Sequence, residues 1–273
     1  MPVINTNVAA IKARSNFDRV QREMDQSIAR LSSGKRINSA HDDAAGQAIS
    51  GRLESQVRGL NMQLQSNKDG QAMVDTMEGS MQEITGILQR MRELAVQASS
   101  GIATAADRGY LDTEVEALAD EIQAISVNTT FNETVLFTGA TFSFFADINI
   151  TGTEIITTAL GMETSTLSVE AADVEIGTVA EAQSAINDID NAISTLAEKR
   201  AIMGSISNRM DHIVDNLTNV VANTVASQSR VQDADYAVET TALTRATILQ
   251  QAATSMIAQA NASKNSILSL VQG

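Results

Sequence analysis

The chain has 273 residues, a formal net charge of −14 and no cysteine or tryptophan, and aromatic residues make up only 3% of it. This length is enough for one large domain or two small ones with a real core. The acidic balance argues against nucleic acid or an anionic membrane surface as a partner, because both bind clustered Lys and Arg. The absence of cysteine excludes disulfides and thiolate metal sites. The sequence has neither an 18-residue apolar run that could span a bilayer nor an N-terminal pattern typical of a cleaved secretory signal.

The first predicted helix runs from about Asn5 to Ser33. Asn is a good N-cap, and Gly34 suits the left-handed position that ends a helix. Residues 1–17 contain no acidic side chain. The helix carries an apolar stripe at Val8, Ile11, Phe17, Val20, Met24, Ile28 and Leu31.

A loop at 35–41 follows, and Asp42 or Asp43 is expected to cap a second helix that continues to about Ser99. The only proline is Pro2, so no proline ring interrupts this long helix. Each interior glycine costs about 1 kcal/mol relative to alanine. We therefore expect tertiary or intersubunit packing, with close backbone approach, at Gly51, Gly59, Gly70, Gly79 and Gly86.

A third helix is predicted from about Thr104 to Val127. From Thr129 to Gly177 the composition shifts to Thr, Ile, Val and Phe between glycines, which predicts β-hairpins. Thr178 and Glu181 then form a capping-box pattern that opens a helix continuing to about Ser229. Residues 232–235 break the pattern before the last helix.

The last stretch, 240–273, contains no acidic residue, and Arg245 and Lys264 are its only charges. A heptad pattern of mostly small side chains predicts a helix that packs along another helix. Its positions are Ala242, Ala246, Leu249, Ala253, Met256, Ala260, Ser263, Ile267 and Leu270. Two interpretations remain open at this point. The two nearly charge-free ends could pair within one chain to close an ordinary bundle, or the ends of many copies could crowd together.

The predicted fold is mainly α. It is a long antiparallel helical rod with paired N- and C-terminal coiled-coil helices and a small β-hairpin region at its tip. Side chains on the terminal stripes are the candidate assembly interface. They are Val8, Ile11, Val20, Met24, Leu31, Leu249, Ala253, Met256, Ala260, Ile267 and Leu270.

Enzymatic chemistry has little support in the sequence. His41 and His212 have no partners at metal-ligand spacing, and neither belongs to an HExxH motif. Gly34-Lys35 lacks the earlier glycine and the preceding strand of a phosphate-binding loop. We therefore expect a protein without catalytic, metal-binding or cofactor-binding residues, and no cofactor.

Several long motifs, in order, cover nearly the whole chain. They are INTNVAA (4–10), LSSGKRINSAHDDAAGQAIS (31–50), LQRMRELAVQ (88–97), TEVEALADEIQAISVNTTFN (113–132) and DADYAVETTALTRATILQQAATSMIAQAN (233–261). Together they closely resemble bacterial flagellin. Two departures are Glu133, where the family usually has glycine after Phe-Asn, and the C-terminal LSLVQG, which replaces a common double-Leu and Arg ending.

The resemblance implies a secreted structural subunit that polymerises helically into the extracellular flagellar filament and serves swimming motility. Such subunits are exported unfolded through a type III apparatus, and their terminal helices fold on assembly. The implied partners are other copies of the subunit, the export apparatus and a chaperone, the filament cap and hook-junction proteins. The alternatives are a hook–filament junction protein or a secreted enzyme.

The resemblance also implies a division of the chain. Residues 1–40 and 235–273 form an inner coiled-coil domain, 41–137 and 178–234 form a rod domain, and 138–177 are a short β-rich variable segment that faces solvent. Arg90, Leu94 and Glu114 match a surface that a vertebrate Toll-like receptor recognises in some members. Packing between subunits is the alternative role for that surface.

Overall fold

The computed structural model describes residues 6–137, 139, 164–170 and 174–272, with backbone alone at 164–165 and 264–272. The fold is mainly α, as the sequence predicts. The elements are α1 (Val8–Ser33), α2 (Ala44–Ala98), α3 (Ala105–Asn128), β1 (Thr130–Phe131), β2 (Thr134–Val135), α4 (Thr164–Leu167), α5 (Val179–Gln232) and α6 (Tyr236–Gln272).

The chain divides into two compact units. Unit 1 comprises Met1–Val57 and Ala222–Gly273, and unit 2 comprises Arg58–Val221. The units divide within α2 and α5. The domain boundaries expected at 40 and 234 fall in the connections between helices instead, and those boundaries stay predictions.

The ends of α1 are set by its caps. The Asn7 side chain accepts a hydrogen bond from the Ala10 backbone N–H at 3.1 Å, so α1 begins slightly later than the predicted Asn5. Its C-terminal end is where the sequence predicts it. Gly34 has φ of 70°, a left-handed conformation in which a residue with a Cβ is strained.

Two aspartates organise the turn between α1 and α2. The Asp42 carboxylate accepts hydrogen bonds from the backbone N–H groups of Asn38 and Ser39, which lowers the pKa of Asp42. Asp43 caps α2, since its Oδ1 atom lies 2.8 Å from the Gly46 backbone nitrogen. A Cβ atom on Gly46 would lie 2.5 Å from the Ile37 Cδ1 atom, so any other residue there would require the Ile37 and Asp43 side chains to shift.

The interior glycines of α2 have a different environment from the one the sequence predicts. A Cβ atom added at Gly51, Gly59, Gly79 or Gly86 would meet nothing within 4 Å outside the local helix backbone. The expectation of close backbone approach is therefore wrong within the subunit at these four positions. The continuous backbone hydrogen bonding of a 55-residue helix and its buried face hold these glycines helical instead.

The predicted start of α3 near Thr104 and the predicted capping box at Thr178 are both confirmed. Thr104 and Asp107 form a reciprocal capping box at α3, and its hydrogen bonds lower the pKa of Asp107. Thr178 and Glu181 form the same arrangement at α5, with donor–acceptor distances of 2.8 and 3.2 Å.

The expected β structure is present at 130–135. There β1 and β2 form an antiparallel hairpin in which Phe131 pairs with Thr134. The two loop residues, Asn132 and Glu133, have φ of 47° and 64°, as in a type I′ turn. At 164–167 the prediction of strand is wrong, because the chain forms the helical turn α4. Leu167, the last residue of α4, and Val169 just beyond it are buried, so tertiary packing overrides the β propensity of this stretch.

The core of unit 2 is built from aliphatic and methionine side chains. The α2 contribution repeats at helical spacing from Met73 to Ala98, and α3 and α5 bury Val115 to Ile122 and Ala182 to Met210 against it. Polar pairs at the rim join Glu78 to Arg200 at 2.6 Å and Arg92 to Asp190 at 2.6 Å. The later residue of α2 pairs with the earlier residue of α5, so these two helices are antiparallel.

Candidate functional site

The terminal helices α1 and α6 pack against each other inside unit 1. Arg30 Nη1 lies 3.0 Å from Glu239 Oε1, and the Asn7 side-chain amide donates to the Ala260 carbonyl at 3.1 Å. Between these two contacts the Gln250 amide donates to the Gln21 side-chain oxygen. Early residues of α1 meet late residues of α6, so the predicted pairing of the terminal helices is confirmed and is antiparallel.

The α6 side chains that face α1 follow a heptad spacing, but the contact stripe lies to one side of the predicted one. The positions of this stripe, all buried or half-buried, are Glu239, Leu243, Ala246, Gln250, Ala253, Ile257 and Ala260, and Ala242 and Thr247 beside it are also half-buried. It shares Ala246, Ala253 and Ala260 with the predicted stripe. The predicted stripe does not include Leu243 and Gln250. Apolar periodicity does not reveal the contact stripe to which they belong, because that stripe also contains Glu239 and Gln250.

The residues of the candidate assembly interface fall into two groups around this contact. Val20 is 5% exposed, and Met24, Leu31, Ala253 and Ala260 are half-buried between the helices. Val8, Ile11, Leu249 and Met256 are exposed, with Leu249 at 43% and Met256 at 62%. The side chains of Ile267 and Leu270 lie outside the described residues.

Apolar side chains line a groove on each side of the α1–α6 pair. The groove that contains Met256, here called the Met256 groove, is lined by Ala9, Lys12, Ala13, Asn16, Arg19, Val20, Leu249, Ala252, Ala253 and Met256. The groove that contains Phe17, here called the Phe17 groove, is lined by Asn7, Ala10, Ile11, Arg14, Phe17, Asp18, Ile257 and Asn261. Two helices cannot bury both sides of their own contact, so apolar surface remains for other chains to cover.

The connections before α2 and before α6 are joined directly. Lys35 and Asp233 form an isolated antiparallel bridge, in which the Arg36 backbone N–H donates to the Gln232 carbonyl at 2.7 Å. The Ala234 backbone N–H donates to the Gly34 carbonyl at 2.9 Å. The sequence predicts both connections but contains no local signal that pairs them, because the pairing joins residues about two hundred positions apart.

The surface that includes Arg90 lies in unit 2. Arg90 is ion-paired with Glu114 at 2.8 Å and with Glu93 at 3.2 Å, and its hydrogen bond to Glu114, followed by that to Glu93, raises the pKa of Arg90. Leu94 is 1% exposed and belongs to the core. Arg90 and Glu114 are therefore the accessible members of this group.

Within the described part of the chain, no group of three or more His, Cys, Asp or Glu side chains could hold a metal ion. His41 and His212 are both exposed and lie on different units. Among the helices that the structure describes, none is long and apolar enough to cross a membrane.

The comparisons with known proteins agree with the motifs. The model of the bacterial flagellin N-terminal helical region matches residues 4–141, and that of the C-terminal helical region matches 186–271. The flagellin of Halalkalibacterium halodurans is 36% identical over 271 residues, which cover 99% of this chain and 100% of that one. The chain belongs to the bacterial flagellin family.

Two solved structures are similar to this flagellin. The crystal structure of Bacillus cereus flagellin has a TM-score of 0.51 and 28% identity, covering 60% of this chain and 94% of that one. A putative flagellar hook-associated protein from Vibrio parahaemolyticus has a TM-score of 0.61 with 14% identity, covering 70% of this chain and 100% of that one. The second likeness is one of fold alone, so the junction-protein alternative is not favoured.

Family membership establishes the coarse function. As a flagellin, the chain is a structural subunit of the extracellular flagellar filament. The family implies polymerisation of the chain with copies of itself.

Proposed function

We propose that the α1–α6 pair is the part of this flagellin through which neighbouring copies pack in the filament. The observation that carries the proposal is the position of Leu249 and Met256. Both are exposed large apolar side chains on a helix whose segment from 240 onward has no acidic residue. Burial of apolar surface stabilises an association by about 25 cal/mol per Å², so uncovered grooves favour self-association.

The charge distribution supports the same proposal. Copies that pack around a common axis bring identical segments together, and like charges would then repel. The stretches 1–17 and 240–273 contain no Asp or Glu, while the chain as a whole carries −14. We infer that residues 1–40 and 235–273 form the inner part of the filament. Residues 41–137 and 178–234 surround it, and 138–177 form the solvent-facing segment, which Leu167, Val169, Val174 and Ile176 attach to the core of unit 2.

The terminal helices also have the properties of segments that fold on assembly. Ala246, Ala253 and Ala260 bury little area each, and within the described part of the chain no third helix lines either groove. Such a pair has little stability as an isolated unit. We infer export in an unfolded state through a type III apparatus with a chaperone, followed by folding at a growing end with the filament cap and hook-junction proteins as partners.

We propose that the protein has no catalytic activity and no cofactor. The support is the structural role of the family, together with the lack of a metal-binding group among the described residues. We also propose that Arg90 and Glu114, with Leu94 beneath them, form a surface for an innate immune receptor or a packing surface between subunits. The receptor role requires Arg90 and Glu114 to be uncovered in the monomer.

Seeded growth tests the assembly role. Purified monomer is mixed with sheared filament fragments, and elongation is followed by sedimentation and electron microscopy. Elongation of the seeds supports the proposal. Binding at the seed ends without growth would indicate a junction protein, and no association would mean that the terminal helices serve only each other.

Leu249→Asp tests the groove itself. It would place a carboxylate in the covered groove, where loss of its water costs about 3–5 kcal/mol when no cation pairs with it, and Lys12 and Arg19 in the same groove offset part of that cost. We therefore expect the affinity of the subunit for a filament end to fall about a hundredfold.

Gln251→Asp is the matched control, because it makes the same charge change at an exposed position of α6 that does not line the Met256 groove. We expect this variant to elongate seeds close to the wild-type rate. Wild-type elongation by Leu249→Asp would show that this groove faces solvent in the filament.

A further inference from the structure

The described methionines differ sharply in accessibility. Met73, Met77, Met81, Met91, Met203 and Met210 are buried in the core of unit 2, and Met24 is half-buried between α1 and α6. Met62 is 69% exposed and Met256 is 62% exposed. Oxidation of methionine to its sulfoxide requires access to the sulfur atom. An oxidant that reaches a subunit before assembly therefore meets Met62 and Met256 before the thioethers in the core of unit 2, and it also meets Met24 wherever the α1–α6 pair is unfolded.

Of these two exposed methionines, only Met256 lines the groove between α1 and α6. Its apolar neighbours there are Leu249, Ala252, Ala253 and Val20, whose side chains offer no hydrogen-bond donor, while Lys12, Asn16 and Arg19 line the same groove with side chains that can donate. Met62 lies on α2 in unit 2 and does not line that groove. The same chemical change at these two positions should therefore affect assembly differently.

We propose that Met256 is a redox modification site that controls whether a subunit can assemble. Hydrogen peroxide is the oxidant. A lone pair of the Met256 sulfur attacks one peroxide oxygen, an S–O bond forms as the O–O bond breaks, and water leaves after proton transfer to the departing oxygen. The sulfur loses two electrons and the peroxide gains them. This inference rests on the proposed function, since it requires the Met256 groove to be covered in the filament.

The effect on assembly follows from desolvation. In the open groove the sulfoxide oxygen is hydrated. Once a second copy covers the groove, that oxygen loses its water, and any part of its hydrogen bonding that Lys12, Asn16 and Arg19 do not replace is left unsatisfied, which is unfavourable. Coverage by a neighbour should also shield Met256, so a subunit is sensitive to peroxide before assembly and protected after it.

Reversal is part of the inference. Methionine sulfoxide reductases return the thioether, releasing the oxygen as water while two thiols of the reductant form a disulfide. Because reduction removes only the added oxygen, a treated subunit should recover its capacity to assemble. Loss of assembly through general damage to the chain would not recover in this way.

The experiment combines peptide mass spectrometry with seeded growth. Folded monomer is treated with dilute hydrogen peroxide, the sulfoxide fraction is measured at Met62 and Met256, and elongation is followed on untreated seeds. We expect the elongation rate to fall at least about tenfold once Met256 is fully oxidised, and to recover after treatment with sulfoxide reductases of both epimer specificities and dithiothreitol.

Matched leucine variants assign the effect, since Leu replaces Met with little change in volume. Met256→Leu should elongate seeds with or without peroxide, whereas Met62→Leu should remain as sensitive as wild type. Full peroxide sensitivity in Met256→Leu, or unimpaired elongation by monomer fully oxidised at Met256, would overturn the inference. Failure of untreated wild-type monomer to elongate seeds would instead overturn the proposed function.

Discussion

Glu133 has a backbone conformation that suits glycine. Its φ of 64° lies in the left-handed region, and so does the φ of 47° at Asn132. Asn132 is less strained than Glu133, because Asn populates this region more readily than most residues with a side chain. The motif Phe-Asn-Glu thus keeps the two-residue hairpin of the family motif at a local energetic cost.

The substitution Glu133→Gly should remove that cost. Left-handed backbone costs a non-glycine residue about 1–2 kcal/mol, and the greater freedom of glycine in the unfolded chain offsets part of the gain. We expect the free energy of unfolding to rise by roughly 0.5–1 kcal/mol in urea denaturation of the monomer. Asn132→Gly is the matched control and should stabilise less. A stability loss in Glu133→Gly would mean that the Glu133 side chain makes a stabilising contact.

At the scale of single elements, glycines in α1, α2 and their connection serve different purposes. Gly34 supplies a left-handed C-cap, and Gly46 leaves space for the Ile37 side chain. Gly79 and Gly86 have ordinary helical surroundings with open space beside them. Glycine is therefore favoured at positions 34 and 46. Within one subunit it is dispensable at positions 79 and 86.

This difference predicts opposite effects of alanine. Gly86→Ala should raise the free energy of unfolding of the monomer by about 1 kcal/mol, the difference in helix propensity. Gly46→Ala should lower it, because the new methyl group would overlap Ile37 and Asp43. Thermal denaturation of the two variants against wild type measures both effects.

Seeded growth of Gly86→Ala adds a second measurement. If the variant monomer is more stable yet no longer elongates seeds, the open side of α2 approaches another subunit closely, and the glycine is required by the filament. If elongation is unchanged, Gly86 has no role in packing. A monomer less stable than wild type would contradict the helix-propensity argument.

At the scale of the whole molecule, the two units differ in how completely they bury their apolar side chains. The core of unit 2 joins α2, α3 and α5 and buries several side chains completely, including Met77, Ile84 and Leu88. Unit 1 leaves Ile11, Ile248 and Met256 around 60% exposed. Unit 2 should therefore be stable in a monomer, while unit 1 depends on other copies.

Deletion of 240–273 tests this division. The truncation removes most of α6 and no residue of the unit 2 core, so we expect circular dichroism to retain the helical signal of α2, α3 and α5. Elongation of filament seeds should be abolished. The full-length chain prepared in parallel is the control. Normal filaments from the truncated chain would contradict the proposed role of the terminal helices, and a fully unfolded product would contradict the independence of unit 2.

The amino-acid sequence by itself determined the long helices, the caps at Gly34 and Thr178, and the family. Apolar periodicity and capping residues act within a few positions of each other, so Gly34 and Thr178 could be assigned without any tertiary contact. The acid-free ends were equally evident, because charge distribution is a property of composition.

Only the tertiary structure decided which face of α6 contacts α1. Heptad positions one residue apart are about 100° apart around a helix, and several faces of α6 are apolar enough to serve. Polar contacts from Glu239 to Arg30 and from Gln250 to Gln21 set the choice, and they involve partners more than two hundred residues away. This orientation of α6 leaves the side chains of Leu249 and Met256 outside the contact between α1 and α6. The bridge between Lys35 and Asp233 was likewise beyond local signals, because it forms only when both ends of the chain fold together.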